Sequence, residues 1–110
     1  MGCRIGTKLA AHFMSTSERE VEEYLIWAVA VRGGFSKKVR FIGVRGSPDR
    51  AVFLPNGVLW LIELKAPKGR LSEHQKLFAE DMRRLKQPYA CFWTVEQIDA
   101  WAQNFKVLVL

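Results

Sequence analysis

At 110 residues the chain has the length of one domain, and its 49% hydrophobic content suffices for a buried core. The formal charge of +6 suits a protein that meets a polyanion such as nucleic acid, and no apolar run approaches the ~20 residues of a membrane span. Arg4 and Lys8 precede only Leu9-Ala10-Ala11, too short for a signal peptide's apolar region, and the scattered Cys3 and Cys91 form no metal or redox spacing, so a cytoplasmic protein is expected.

Residues 1–16 have weak periodicity and read as an N-terminal extension to a domain over 17–110. Ser17 opens a helix: with Glu20 it makes an S-x-x-E capping box, and Val21, Tyr24, Leu25, Ala28 and Val29 share one face. Gly33-Gly34 stops it. Phe35 to Phe41 is a basic strand candidate, followed by a Gly-rich turn over 43–48. Ala51 to Leu54 is a strand, Pro55-Asn56-Gly57 a tight turn that uses positive φ, and Val58 to Lys65 a strand apolar on both faces, hence central.

The loop Pro67 to Arg70 leads to a second helix, boxed by Ser72 and Gln75, with Leu77, Phe78, Met82 and Leu85 facing inward. Tyr89 to Thr94 reads as a buried strand, which makes Cys91 a core residue. Thr94 caps a third helix over Val95 to Asn104, and Phe105 to Leu110 adds a last strand. Trp27, Trp60 and Trp93 fit core positions, whereas Trp101 falls on an exposed helix face suited to a dimer contact. The order αβββαβα, with that last strand added, predicts an α/β fold in which helices flank a mixed sheet.

The strands carry charge where it is costly. Asp49 lies at the mouth of one strand and Glu63-Leu64-Lys65 near the end of the next, and an unpaired buried carboxylate costs several kcal/mol. If the hairpin turns about Asn56, Asp49 and Glu63 face each other at about 4.5–5.5 Å between Cβ atoms. Carboxylates at that range repel unless a proton or cation lies between them. Magnesium would resolve the conflict, bound by Asp49, Glu63 and the Leu64 carbonyl together with water and phosphate. Lys65, on the Glu63 side of its strand, would then position a water or stabilise developing charge. A salt bridge at a sheet end, Glu63–Lys65 or Asp49–Arg50, is the plainer alternative.

Cations surround the acids. Arg45, Arg50, Lys68 and Arg70 flank them in loops, and Lys37, Lys38 and Arg40 precede them, a pattern that would hold a DNA backbone. Arg83, Arg84 and Lys86 read as a solvated helix face, and His74 as a surface histidine beside Gln75. No Gly-rich nucleotide cradle, zinc spacing or serine-nucleophile pattern is present.

Gly46-Ser47-Pro48-Asp49, Glu63-Leu64-Lys65, the Ser17-Glu18-Arg19-Glu20 helix start and Leu71-Ser72-Glu73-His74-Gln75 together resemble the VRR-Nuc family of the PD-(D/E)xK nuclease superfamily. The likeness covers residues 17 to about 100. It implies a restriction-endonuclease-like core and a cut dependent on Mg²⁺ or Mn²⁺. Carried over, Asp49 and Glu63 are metal ligands and Lys65 the catalytic lysine. Glu18 matches the family's first-helix glutamate, with Glu22 in reserve and Glu20 as capping partner. Gln75 matches a family glutamine and can cap its helix as well. Small stand-alone members look like dimeric resolvases of four-way DNA junctions, so a homodimeric, structure-selective endonuclease is expected. A flap or general DNA nuclease, or a DNA-binding module without catalysis, are the alternatives.

Overall fold

The computed structural model describes residues 17–108; the expected N-terminal extension and residues 109–110 lie outside them. Helix α1 (Glu18–Ala30) starts where Ser17 Oγ accepts the Glu20 N–H, and it ends before Gly33, whose φ of +81° places it in the left-handed region. Strands β1 (Phe35–Lys38) and β2 (Arg50–Leu54) follow, then a 3₁₀ turn at Pro55–Gly57 and β3 (Val58–Leu64). Asn56 and Gly57 both take positive φ, as the Asn-Gly pair predicts. Helix α2 (Glu73–Leu85), β4 (Tyr89–Phe92) and α3 (Val95–Ala102) complete the described elements. Both halves of a capping box are made at Ser72/Gln75 and at Thr94/Gln97.

The four strands lie in sequence order, antiparallel from β1 to β3 and parallel between β3 and β4. Helix α2 makes the crossover that a parallel pair requires. Alternation then divides the side chains. Val52, Leu54, Ile62, Leu64 and Phe92 pack with α1 and α3 into the main core, while Ala51, Leu61 and Phe78 form a smaller cluster on the α2 face. The α/β class and the order αβββαβα are those expected.

Several details differ. Strand β1 ends at Lys38, because Val39 and Phe41 turn onto the α2 face, where the Phe41 ring meets Phe78 edge-on at 5.7 Å. Residues 105–108 form no strand; Phe105 instead packs on Trp101 (5.1 Å) and Trp60 (6.2 Å). That packing buries Trp101 to 8% exposure, so it cannot serve as a surface contact. Leu77 and Leu85, expected inward, are exposed. Leu77 sits about 100° round the helix from Phe78, and Phe78 is the α2 residue that is buried.

Candidate active site

The hairpin register is the foundation of the site. Pairs run from Leu54↔Val58 to Arg50↔Ile62, so the turn is centred on Asn56 as expected. One-to-one pairing ends at Arg50, because the Asp49 N–H also reaches the carbonyl of Ile62, Arg50's partner. This bulge-like offset re-aims Asp49: its Oδ2 accepts the Leu64 N–H at 2.8 Å. The aspartate therefore caps the end of the ladder, held by a charge-assisted bond to the backbone between Glu63 and Lys65.

Glu63 is the unusual group. It is 2% exposed, on the strand face that α2 covers, opposite Cys91 of β4. Gln75 Nε2 donates to Glu63 Oε2 at 3.1 Å, while Gln75 Oε1 accepts the Ser72 N–H at 2.8 Å. One amide thus caps the helix and holds the acid. Glu63 Oε1 is buried with no hydrogen-bond partner among the described residues. Burial, then the contact with Asp49 and that carboxylate's charge, raise the Glu63 pKa from 4.5 to about 8, against the pull of Lys65. Cys91, desolvated beside this acid, is pushed up to about 12 and stays a thiol.

The cleft outside these groups is lined by Glu18, Arg19, Glu22, Lys38, Asp49 and Leu64, with a volume of about 320 Å³. The first turn of α1 closes one side, and the first turn of α2 approaches from the other face of the sheet. Gly46 ties the Gly-Ser-Pro-Asp loop to that second turn. Its φ is +76°, and a Cβ there would lie 2.3 Å from the His74 carbonyl and 2.6 Å from the Gln75 nitrogen, so only glycine fits.

A protein called "Putative nuclease p44", from Acyrthosiphon pisum secondary endosymbiont phage 1, is 42% identical to this chain over 67 residues, 56% of this chain and 72% of that one. A solved structure of a VRR_NUC domain superposes with a TM-score of 0.74 at 27% identity, covering 84% of this chain and all of that one. The chain belongs to the VRR-Nuc family of nucleases. No family model matches it. The likeness expected from the Gly-Ser-Pro-Asp and Glu-Leu-Lys motifs is thus shown, as is the α/β fold.

In this VRR-Nuc chain the residues expected at the centre fall into three groups. Asp49, Glu63, Leu64 and Gln75 converge through the contacts just given, and Lys65 lies near enough for its charge to act on Glu63. Glu18 lines the same cleft and its charge reaches Glu63, but among the described residues no three His, Cys, Asp or Glu side chains are gathered closely enough to hold a metal. Glu22, the reserve glutamate, is committed elsewhere: its Oε2 lies 3.0 Å from Arg50 Nη2 and 3.1 Å from Arg50 Nε.

That ion pair corrects the role expected of Arg50. The residue is 7% exposed, and its guanidinium also donates to the carbonyl and hydroxyl of Ser36, so it fastens α1 to the sheet and presents nothing to DNA. The other cations stay outside. Lys37, Lys38, Arg45, Lys68 and Arg70 are exposed; Lys37 Nζ lies over the Phe35 ring at 5.2 Å, and Arg45 Nη1 is 3.3 Å from His74 Nε2. Arg19, beside Glu18 in the cleft wall, joins the cations expected there, and its adjacency to Glu18 is the signal the sequence carries for it.

The donor set fits a hard divalent cation in part. Two neighbouring carboxylates, one with a buried oxygen that finds no donor among the described residues, require a proton or a cation between them. Mg²⁺ takes a few protein oxygens and leaves the rest to water and phosphate, so two acids and a carbonyl suffice. Among the described residues no helix is long and apolar enough to cross a membrane.

Proposed function

We propose that this VRR-Nuc protein is a divalent-metal-dependent DNA endonuclease that hydrolyses phosphodiester bonds, with branched DNA, four-way junctions above all, as substrate. The observation that carries the metal reading is the Asp49–Glu63 pair, whose buried Glu63 oxygen has no donor among the described residues. Asp49, Glu63 and the Leu64 carbonyl would hold Mg²⁺ or Mn²⁺, with Glu18 across the cleft. The chemistry a bound ion supplies is charge neutralisation at the scissile phosphate and a more acidic water.

The chain's own groups do the remaining work. The Leu64 N–H fixes one Asp49 oxygen, and Gln75 fixes one Glu63 oxygen, so the acids are aimed before substrate arrives. Lys65 brings a positive charge beside Glu63, where it would orient the attacking water or offset charge developing on the phosphate. Exposed Lys37, Lys38, Arg45, Lys68 and Arg70 would grip the flanking backbone. A four-way junction has two-fold symmetry, and a homodimer would place one centre on each of two strands.

The test is cleavage of labelled four-way junction, flap and linear duplex, each with and without Mg²⁺ or Mn²⁺. Preferred, metal-dependent cutting of the junction is expected. Equal cutting of flap or duplex would make the protein a general nuclease, and cutting in EDTA would remove the metal from the account. Asp49→Ala and Glu63→Ala should abolish cleavage while junction binding persists.

A further inference from the structure

The loop between β1 and β2 carries a feature that the hydrolytic site does not use. Its tip, Ile42-Gly43-Val44, is apolar, and Ile42 is 94% exposed while Val44 is 46% exposed. An isolated exposed isoleucine is ordinary, but this one is held out by its surroundings. The Val44 N–H donates to the Phe41 carbonyl at 3.1 Å, and Gly43 has a φ of +78°, with no atom of the described residues near where its Cβ would lie, which closes a tight turn. On one side of the turn Phe41 is anchored on Phe78. On the other, Gly46 is pressed on the start of α2 and Pro48 is buried. The loop then runs straight into Asp49. The tip therefore projects from braced flanks beside the acidic site.

Charge identifies the occupant. Between Glu23 and Asp49 there is no acidic residue, and the tip is bordered by Arg40 and Arg45, with Lys37 and Lys38 just before them. A second copy of the chain meeting this loop about a two-fold axis would oppose like charges without compensation. A nucleic acid supplies phosphates for the cations and base faces for the apolar tip.

We propose that Ile42 is a wedge that enters the base stack of DNA where it is already interrupted, at a branch point or nick, while Arg40 and Arg45 hold the phosphates on either side. Apolar side chains inserted between base steps cost unstacking energy, least where stacking is already broken. The wedge thus selects branched over continuous duplex, and it rests on the proposal that DNA is the substrate of the neighbouring centre.

The test uses the full chain in EDTA, so that binding is read without cutting. Four-way junction, nicked duplex and intact duplex carry 2-aminopurine at the branch, at the nick or at the matching internal position. The wild type should raise 2-aminopurine emission at branch and nick but not in intact duplex. Ile42→Ala and Ile42→Ser should abolish that rise and weaken junction binding by about tenfold. Ile42→Leu should keep the rise. Arg40→Gln and Arg45→Gln should weaken binding to all three DNAs and flatten its salt dependence.

The wedge is overturned if Ile42→Ala raises emission and binds the junction as the wild type does. It is also overturned if Ile42→Ala changes the sedimentation coefficient of the DNA-free protein, which would assign the tip to a second copy. These readouts are independent of hydrolysis. A protein that binds and unstacks the junction but never cuts it with Mg²⁺ or Mn²⁺ would defeat the nuclease proposal and keep the wedge.

Discussion

Glu63→Gln tests the central physical claim through stability rather than activity. In metal-free protein the native Glu63 carboxyl holds its proton up to about pH 8, whereas the unfolded chain releases it near 4.5. Between those values the native state binds one proton more than the unfolded state, so stability falls as pH rises through the window. From 4.5 to about 8 is about 3.5 pH units, and at about 1.4 kcal/mol per unit the ceiling is about 5 kcal/mol. Relaxation and water entry at the cleft reduce it, and a loss of about 2–3 kcal/mol is expected.

Glutamine keeps the shape and cannot ionise. Urea unfolding in EDTA at pH 5, 6.5 and 8.5 should therefore show the wild type losing stability relative to Glu63→Gln by that amount across the series. Adding Mn²⁺ at pH 8.5 should restore the wild type and leave the variant unmoved, since an ion that binds only the native state stabilises it by mass action. A wild-type-minus-variant difference that stays constant from pH 5 to 8.5 would show that Glu63 ionises normally, and the argument for a cation between the two acids would fail.

Arg50→Ala should lower stability by about 2–3 kcal/mol, because it strands a partly buried Glu22 carboxylate; the salt slope of DNA binding should not change, and a double cycle with Glu22→Gln should show strong coupling. Gly46→Ala, whose Cβ would collide with the His74 and Gln75 backbone, should push the loop off α2 and cost activity beyond its loss in thermal melting temperature. Gln75→Ala should leave the helix weakened by about 1 kcal/mol through the lost cap, and it should lower the turnover number more than it raises KM, since Glu63 loses its donor. Lys65→Ala should slow cleavage without weakening the Mn²⁺-dependent rise in melting temperature.

The distribution of what could be read in advance follows the range of the interactions. Asn56-Gly57 sets a turn through local φ preferences, and period-two alternation carries its register as far as Arg50↔Ile62, which brings the two acids near each other on paper but does not show the offset at Asp49. Capping at Ser72/Gln75 is likewise a three-residue affair. The role of Arg50 is hidden in the sequence because its partners Glu22 and Ser36 lie 28 and 14 residues away on other elements, and a cation at a strand mouth resembles a surface group until its neighbours are known. Trp101 failed for the same reason: the aromatic cluster that buries it joins Trp60, Phe92 and Phe105 from β3, β4 and the segment after α3.

The charge arithmetic changes accordingly. Arg32 donates to the carbonyls of Ala28, Ala102 and Phe105 in the interior, and Arg50 is held by Glu22, so two of the cations counted toward the net +6 serve the fold. The basic surface that remains is concentrated in the acid-free stretch ahead of Asp49 and in the loop after Lys65. Both lead into the acidic pair from the chain on either side of the hairpin. A polyanion held by those cations would lie against Asp49 at the cleft, and a divalent cation, if one is bound there, would offset the repulsion between its phosphates and the acids Glu18 and Asp49 that line the wall.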